Sequence, residues 1–562
     1  MNVRNISMDL KERAKHQIRA GIVNYHAKFV TIEVRRSHIK TIDVKNRYHV
    51  EFLPNFFSSA MSQRALKRIV KGGYENFMLN FTPASLPVPS KTIFKRFDEI
   101  AWMNESVGEN HAQTQAIKHI VNRTNFPSPY IVFGPPGTGK TSTLVEAVAQ
   151  ITKLLPTTKV LVTVNSNSAC DEIGDRLLKF CGANKMYRFY SPSFAKKINR
   201  VHPKLKSCSN LKYGYHVQPS YQEFSSYNVI ICTLVNSGRL KCLGPNHFDF
   251  IFIDECASSA EPYVDIPMSL AMKLGKKFSA SVILLGDPKQ LGQIMRTHHS
   301  ERYGFSVSLM ERVMGLDRYK FPFDPQRIVQ LIDNFRSHAS ILDYSNKKFY
   351  NSILNAKQKK QIANFAIGWS LLPNPQVPVV FHASWTPSEI DGTSQFNVGD
   401  IAIVRKYVGS LLREGINGKK VHPKDIGIIS PYAAQRERLM QIYTNGIEIG
   451  TVEYFQGREK LIVIVSSVRS KTPTIGFLKN EKRLNVALTR AKALLIVIGN
   501  PETLGMNKFW RDFIAQCCDN KATVGKVPGW VQNKSETLPN SEEDEDDAVR
   551  LEELMNEMNV ID

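Results

Sequence analysis

Gly134-Pro135-Pro136-Gly137-Thr138-Gly139-Lys140-Thr141 stands between an apolar run, Tyr130-Ile131-Val132-Phe133, and a helix-forming one, Thr143 to Ile151. The pattern is G-x-x-x-x-G-K-[ST], and a strand before it with a helix after it is the context in which such a loop cradles phosphate. The glycines let backbone N–H groups turn toward the anion, and the helix N-terminus adds its dipole. Lys140 would hold the β- and γ-phosphates of a nucleotide, the Thr141 hydroxyl would ligate Mg²⁺, and Ser142 completes the nucleotide-binding stretch. A chance glycine turn is the competing reading, and the strand–loop–helix context weighs against it.

Working outward, further apolar runs of strand length alternate with helical patterns between residues 105 and 304. They are Val160 to Val164, Val229 to Cys232, Phe250 to Ile253 and Ser281 to Leu285. Such alternation implies α/β architecture with a parallel, doubly wound sheet. Phe250-Ile251-Phe252-Ile253-Asp254-Glu255 puts two acids at a strand end. Alone, that is most simply a solvated turn. Behind a P-loop it reads as the partner box: Asp254 anchors Mg²⁺, and Glu255 orients and deprotonates the attacking water. The next strand ends in Gly286-Asp287-Pro288-Lys289-Gln290, where Gln290 would sense the γ-phosphate.

A second α/β block spans residues 305–519, with strands at Val379 to His382, Ile426 to Ile429, Leu461 to Val465 and Leu494 to Ile498. It bears Arg336 and Arg490. An arginine reaching the γ-phosphate across a cleft accelerates hydrolysis, although most single arginines are surface ion-pair residues. Residues 1–104 read as a small β-barrel and stalk: a basic, helix-like start from Leu10 to Ile22, then short strands at Phe29 to Val34, His38 to Val44 and Tyr48 to Leu53. A Lys- and Tyr-rich insertion covers about 190–226. Residues 520–562 read as linker and disordered acidic tail.

Lys and Arg total 74 against 51 Asp and Glu, a net charge of +23 over 562 residues. The tail Ser541–Asp562 holds ten acids and one arginine, so the body before it is more basic still. That surplus favours a polyanion partner through counterion release, with an anionic membrane or an acidic protein as the alternatives that charge alone leaves open. The N-terminus offers no apolar secretory stretch, and no segment is apolar over the ~18 residues of a membrane span. The eight cysteines lack any C-x-x-C spacing. These features read as a soluble, reduced, cytoplasmic protein without a membrane partner, the nucleus staying open.

Gln113, Gly134–Thr141, Asp254–Glu255, Gly286–Gln290, Asn334–His338, Thr451–Glu459 and Arg483–Ala491 occur in an order that resembles superfamily 1 helicases of the Upframeshift-like branch. Pro129 to Gly134, Phe250 to Glu255 and Asn334 to Leu342 are most similar to the Armitage-type RNA helicases of small-RNA silencing. The resemblance implies two tandem RecA-like domains and ATP as the nucleotide. It implies that Gln113 reads the adenine edge and that Gly457 and Glu459 complete the pocket from the second domain. It implies further that Asn167, Thr233, Ser430 and Thr451 hold a nucleic-acid backbone, and that Lys28, Arg35, Arg36, Lys40, Lys45 and Arg47 border its channel. Two positions depart from the family pattern: Cys256 stands where Ala is usual, and Asp400 where Glu is usual.

The resulting expectation is a monomeric ATP-dependent RNA helicase or translocase that moves 5′ to 3′ on single-stranded RNA. Argonaute- or Piwi-type silencing proteins, or RNA-decay proteins, are the partners that the resemblance implies. A DNA or DNA–RNA hybrid helicase of the same branch is one alternative, and a catalytically slow RNA clamp is another.

Overall fold

A computed structural model describes residues 2–5, 18–19, 21–26, 29–33, 48–51, 56–81, 101–194, 201, 203–212, 215–244, 247–272, 278–293, 295 and 297–531. The chain divides into two units, Met1–Gln63 and Arg64–Asp562.

The first unit contains strands Asn2–Asn5 (β1), Ile18–Arg19 (β2), Gly21–His26 (β3), Phe29–Glu33 (β4) and Tyr48–Glu51 (β5). β1 pairs antiparallel with β2 and β5, while β3 and β4 form their own hairpin. The strands expected near residues 29 and 48 are present. Among the described residues, however, they make a three-stranded sheet and a separate hairpin rather than a closed barrel. The helix expected over Leu10 to Ile22 is corrected where it is described: Ile18, Arg19, Gly21 and Ile22 are strand, as β-branched residues around a glycine favour. The run His38 to Val44 and the basic residues Lys28, Arg35, Arg36, Lys40, Lys45 and Arg47 lie outside the described residues.

The second unit holds two parallel sheets, the tandem RecA-like arrangement. The first is built from Tyr130–Phe133 (β6), Val160–Val164 (β7), Met186–Arg188 (β8), and, past a small hairpin of Leu211–Lys212 (β9) and Tyr215–His216 (β10), Val229–Thr233 (β11), Phe250–Ile253 (β12), Ser281–Gly286 (β13) and Ile328–Gln330 (β14). Its order is β14-β6-β13-β12-β7-β11-β8, every pairing parallel. The strands are nearly continuous apolar runs because helices cover both faces. Ile131 and Phe133 enter one core, and Tyr130 and Val132 the other. Tyr74, Met78 and Phe81 join the first of these cores.

Asp333–Asn334 (β15) pairs with Asn355–Ala356 (β16), leading into the second sheet. That sheet comprises Val379–Ala383 (β17), then, past the hairpin Glu389–Asp391 (β18) and Ser394–Phe396 (β19), Ile426–Ile429 (β20), Glu448–Gly450 (β21), Lys460–Ser466 (β22), Ala491–Gly499 (β23) and Thr523–Val524 (β24). Its order, β21-β20-β22-β23-β17-β24, is again parallel throughout. The helix Ala339–Phe349 serves both sheets. Leu342 and the following Tyr350 enter the first sheet's core, Ile341 and Tyr344 the second's, and Phe349 packs against both.

Two expectations along the chain change. β14 lies past residue 304 yet forms the edge of the first sheet. The linker expected from residue 520 includes β24, and only residues 532–562 of that stretch lie outside the described residues. Within the 190–226 insertion, Leu205, Leu211 and Phe224 are buried in the first domain's cores. No helix among the described residues is long and apolar enough to cross a membrane.

Candidate active site

The C-terminal ends of β6, β12 and β13 open toward one cleft of about 640 Å³, the position where parallel sheets expose backbone and side chains to ligands. Pro136 to Ser142, Asp254, Glu255, Asp287 and Gln290 line it from the first sheet; Phe335, Arg336, Gln456 to Lys460 and Arg490 line it from the other side. Gly139 has φ +86° and opens the helix Lys140–Leu154, so the loop turns sharply into a helix N-terminus. Lys140 donates to the Gly134 carbonyl beneath the loop. Burial lowers its pKa, against the raising effect of Asp287, Asp254 and Glu255.

Asp254 is 4% exposed, and burial raises its carboxyl above the usual range while Lys140 pulls it back. The Thr141 side chain also acts to lower it. One carboxylate past a strand end and one hydroxyl at a helix start form a donor set that fits a hard divalent cation. Glu255 takes a left-handed backbone, φ 51°, which turns its side chain into the cleft toward Gly457. Burial, then the charge of Asp254, pushes its carboxyl up to about 7. A protonatable group at that value is suited to accepting a proton near neutrality.

From the second sheet, Arg490 is fully buried and donates from Nη2 to Gln290 Oε1 at 3.1 Å and from Nε to the Val486 carbonyl at 2.9 Å. Gln290 in turn donates to Asp287 Oδ2 at 2.7 Å. Arg336 pairs with Glu459 at 2.5 Å and reaches the Thr489 carbonyl at 3.1 Å. Burial acts to raise the Glu459 carboxyl, but Arg336 and Lys492 outweigh it and hold it down at about 2. Asn334 and Phe335 tie this segment to the P-loop: Asn334 Nδ2 donates to the Pro136 carbonyl and Phe335 N–H to that of Gly137.

Lys140, Thr141, Asp254, Glu255, Gln290, Arg336, Gly457, Glu459 and Arg490 thus line one cleft. Gln113 does not. It is buried below the loop, where Nε2 donates to Gly139 O at 3.2 Å and Thr143 Oγ1 at 3.0 Å. Gly134 and Pro135 likewise support the loop from below. Of the four residues expected on a nucleic acid, Thr233 ends β11 and Asn167 follows the adjacent β7, while Ser430 and Thr451 follow the adjacent β20 and β21. Asn167 Oδ1 accepts from Arg188 at 2.8 Å, Thr233 starts a short helix, and Thr451 Oγ1 accepts from the Tyr454 N–H at 3.1 Å. Ser430 is 0% exposed, its hydroxyl buried without a hydrogen-bond partner among the described residues. Asp400 is also turned inward, accepting from Ser466 Oγ at 3.0 Å and the Val468 N–H at 3.1 Å, so the carboxylate braces a loop.

Sequence reasoning passed over Asp287 and Phe335, although both lie inside segments singled out for their neighbours. Phe335 is 40% exposed on the cleft wall and offers a flat apolar face. Glu172 and Arg176, an i,i+4 ion pair at 2.5 Å, also border the cleft. Their spacing on a helix was the available signal.

Two AAA-domain family models match the chain, one over residues 108–218 and 215–295 and the other over residues 305–502. Putative helicase mov-10-B.1 of Danio rerio is 36% identical over 513 residues, covering 85% of this chain and 49% of that protein. The probable RNA helicase armi of Drosophila melanogaster is 27% identical over 552 residues, 88% of this chain and 46% of its own length. The Drosophila melanogaster regulator of nonsense transcripts 1 homolog is 31% identical over 496 residues, 80% and 38% respectively. The chain belongs to the Upframeshift-like branch of superfamily 1 helicases. Its similarity within that branch extends to armi, and the cleft sits where the two AAA-domain matches meet. The chain spans about half the length of the curated relatives it matches.

Proposed function

We propose that the chain is an ATP-dependent RNA helicase or translocase that moves 5′ to 3′ on single strands and acts in small-RNA silencing or RNA decay. The observation that carries this reading is the convergence of Lys140, Glu255, Gln290, Arg336 and Arg490, from two sheets, on one cleft.

In this reading the P-loop N–H groups and Lys140 hold the nucleotide's phosphates, and Phe335 offers a stacking face for its base. Glu255 orients the attacking water and takes its proton. Thr141 and Asp254 would hold Mg²⁺, which would supply positive charge to offset that of the phosphates. Gln290 hydrogen-bonds the γ-phosphoryl group, while Arg336 and Arg490 stabilise the charge that develops on it, so hydrolysis requires both domains in place. Domain opening and closing between turnovers then moves the strand. The net charge of +23 supports a polyanionic track. Silencing or decay proteins, Argonaute- or Piwi-type among them, are the proposed partners of a cytoplasmic monomer.

The test is steady-state ATP hydrolysis with matched single-stranded RNA and DNA. Lys140→Ala is expected to abolish RNA-stimulated turnover, and an unchanged rate overturns the reading. RNA binding by the same protein should weaken with salt at a log–log slope of about −0.7 per phosphate neutralised, and a flat response contradicts the electrostatic contribution.

A further inference from the structure

We infer that Tyr350 is a positioning residue: its single hydroxyl clasps the two RecA-like domains together and thereby sets Gln290 and Arg490 in register. The inference rests on the proposed ATPase reading only for its kinetic consequence.

Tyr350 follows the helix Ala339–Phe349, the element that contributes to both cores, and is 1% exposed. Its hydroxyl donates to Asp287 Oδ2 of the first domain at 2.7 Å. The same oxygen accepts from Asn485 Nδ2 of the second domain at 2.8 Å. Asn485 also donates from Nδ2 to the Lys289 carbonyl at 2.7 Å, so its amide nitrogen is committed to the other side of the gap. Its Oδ1, meanwhile, is buried with no hydrogen-bond partner among the described residues. A buried amide oriented this way gives up one satisfied group in order to reach across the domains.

The bonds close into a ring. Tyr350 meets Asp287, Asp287 accepts from Gln290, Gln290 accepts from Arg490, and Arg490 returns through the Val486 carbonyl to the helix Glu481–Leu488 that carries Asn485. Asp287 is the shared acceptor: Tyr350 and Gln290 both donate to its Oδ2, while the Lys289 N–H donates to Oδ1 at 2.9 Å. The hydroxyl therefore fixes the carboxylate that aims Gln290 into the cleft. Separating the domains breaks the Asn485 and Arg490 bonds together and strips buried polar groups of their partners, a coupled loss of the kind that makes such networks act as a unit. Tyr350 touches no reacting atom, because it does not line the cleft.

Tyr350→Phe keeps the aromatic side chain and removes the clasp, and Asn485→Ala breaks it from the other side. In hydrogen exchange of the full chain without nucleotide, segments 287–290 and 485–490 are expected to lose protection together in both variants. Unchanged protection overturns the inference. In steady-state kinetics, Tyr350→Phe is expected to lower kcat about tenfold, the scale of one buried hydrogen bond, with KM for ATP within about twofold. A kcat at the wild-type level, or a loss carried wholly by KM, also overturns it. The double variant should be no worse than the poorer single one, because both cut one ring, and additive losses count against it. A wild-type chain without any ATP hydrolysis would remove the functional reading instead, and the exchange result alone then decides the clasp.

Discussion

Arg336 and Glu459 form an ion pair of 2.5 Å on the cleft wall, with Lys492 on the same carboxylate at 2.8 Å. The sequence assigned the arginine and the carboxylate separate tasks in the pocket, and in the structure each restrains the other. Glu459→Gln leaves Arg336 and Lys492 as unscreened like charges and releases the guanidinium from its orientation. Turnover of ATP is expected to fall about threefold to tenfold, the range for one part-exposed charge pair. Lys492→Gln, which keeps the Arg336 contact, should fall less, and steady-state rates of the two variants compare them directly.

Gly139 carries both a positive φ of +86° and a close neighbour, since an added Cβ would stand 2.6 Å from Gln113 Nε2. Gly304 has a similar φ of +76° and open space around it. Gly139→Ala and Gly304→Ala should therefore share a strain cost of about 1–3 kcal/mol. Only Gly139→Ala should also weaken nucleotide binding, because Gln113 must shift and the loop with it. Titration calorimetry with a nonhydrolysable nucleotide, beside thermal melts, separates the two effects.

Asp265 is 4% exposed, and its Oδ1 has no hydrogen-bond partner among the described residues. Burial, then the neighbouring Glu261, pushes its carboxyl up to about 8 against the pull of Arg312. The unfolded chain releases this proton near pH ~3.9 and the folded one near 8. The associated stability is thus fully present below the lower value and is lost as pH rises through the upper one. Asp265→Asn removes this slope. Its melting temperature relative to wild type should climb from pH 4 toward 8 and then level off, and a difference independent of pH contradicts the assignment.

Ser430 has a buried hydroxyl without a hydrogen-bond partner among the described residues, so Ser430→Ala removes an unsatisfied group. Folding stability is expected to stay level or rise by up to about 1 kcal/mol, with RNA affinity unchanged. A loss of RNA affinity, measured by fluorescence anisotropy, would restore the backbone-contact role that the sequence suggested.

What the sequence disclosed and what it concealed follow from the range of the interactions. β6, β7, β12 and β13 were legible because both of their faces are buried, and Gly134–Thr141, Asp254–Glu255 and Gln290 were legible because each sits at the end of such a strand. The inward turn of the Asp400 carboxylate was not legible, because whether a short polar side chain in the first turn of a helix faces solvent or core depends on partners such as Ser466 and Val468, tens of residues away. Tyr350 was invisible for the same cause. Its neighbours in sequence, Lys347-Lys348-Phe349 and Asn351-Ser352, carry no signal of a contact, and its two hydrogen-bond partners come from separate domains. β24 escaped notice because a two-residue edge strand leaves no periodicity to read.

The edge strand β14 bears on how this chain can be recombined with its relatives. The second AAA-domain match begins at residue 305, and β14 comes later, at Ile328–Gln330. A chimera joined at residue 305 would trade away the border strand of the first sheet along with the second domain, baring the flank of β6. A junction placed after Gln330 keeps each sheet with its own strands, and the helix that follows then becomes the seam where donor and recipient must still match on both sides.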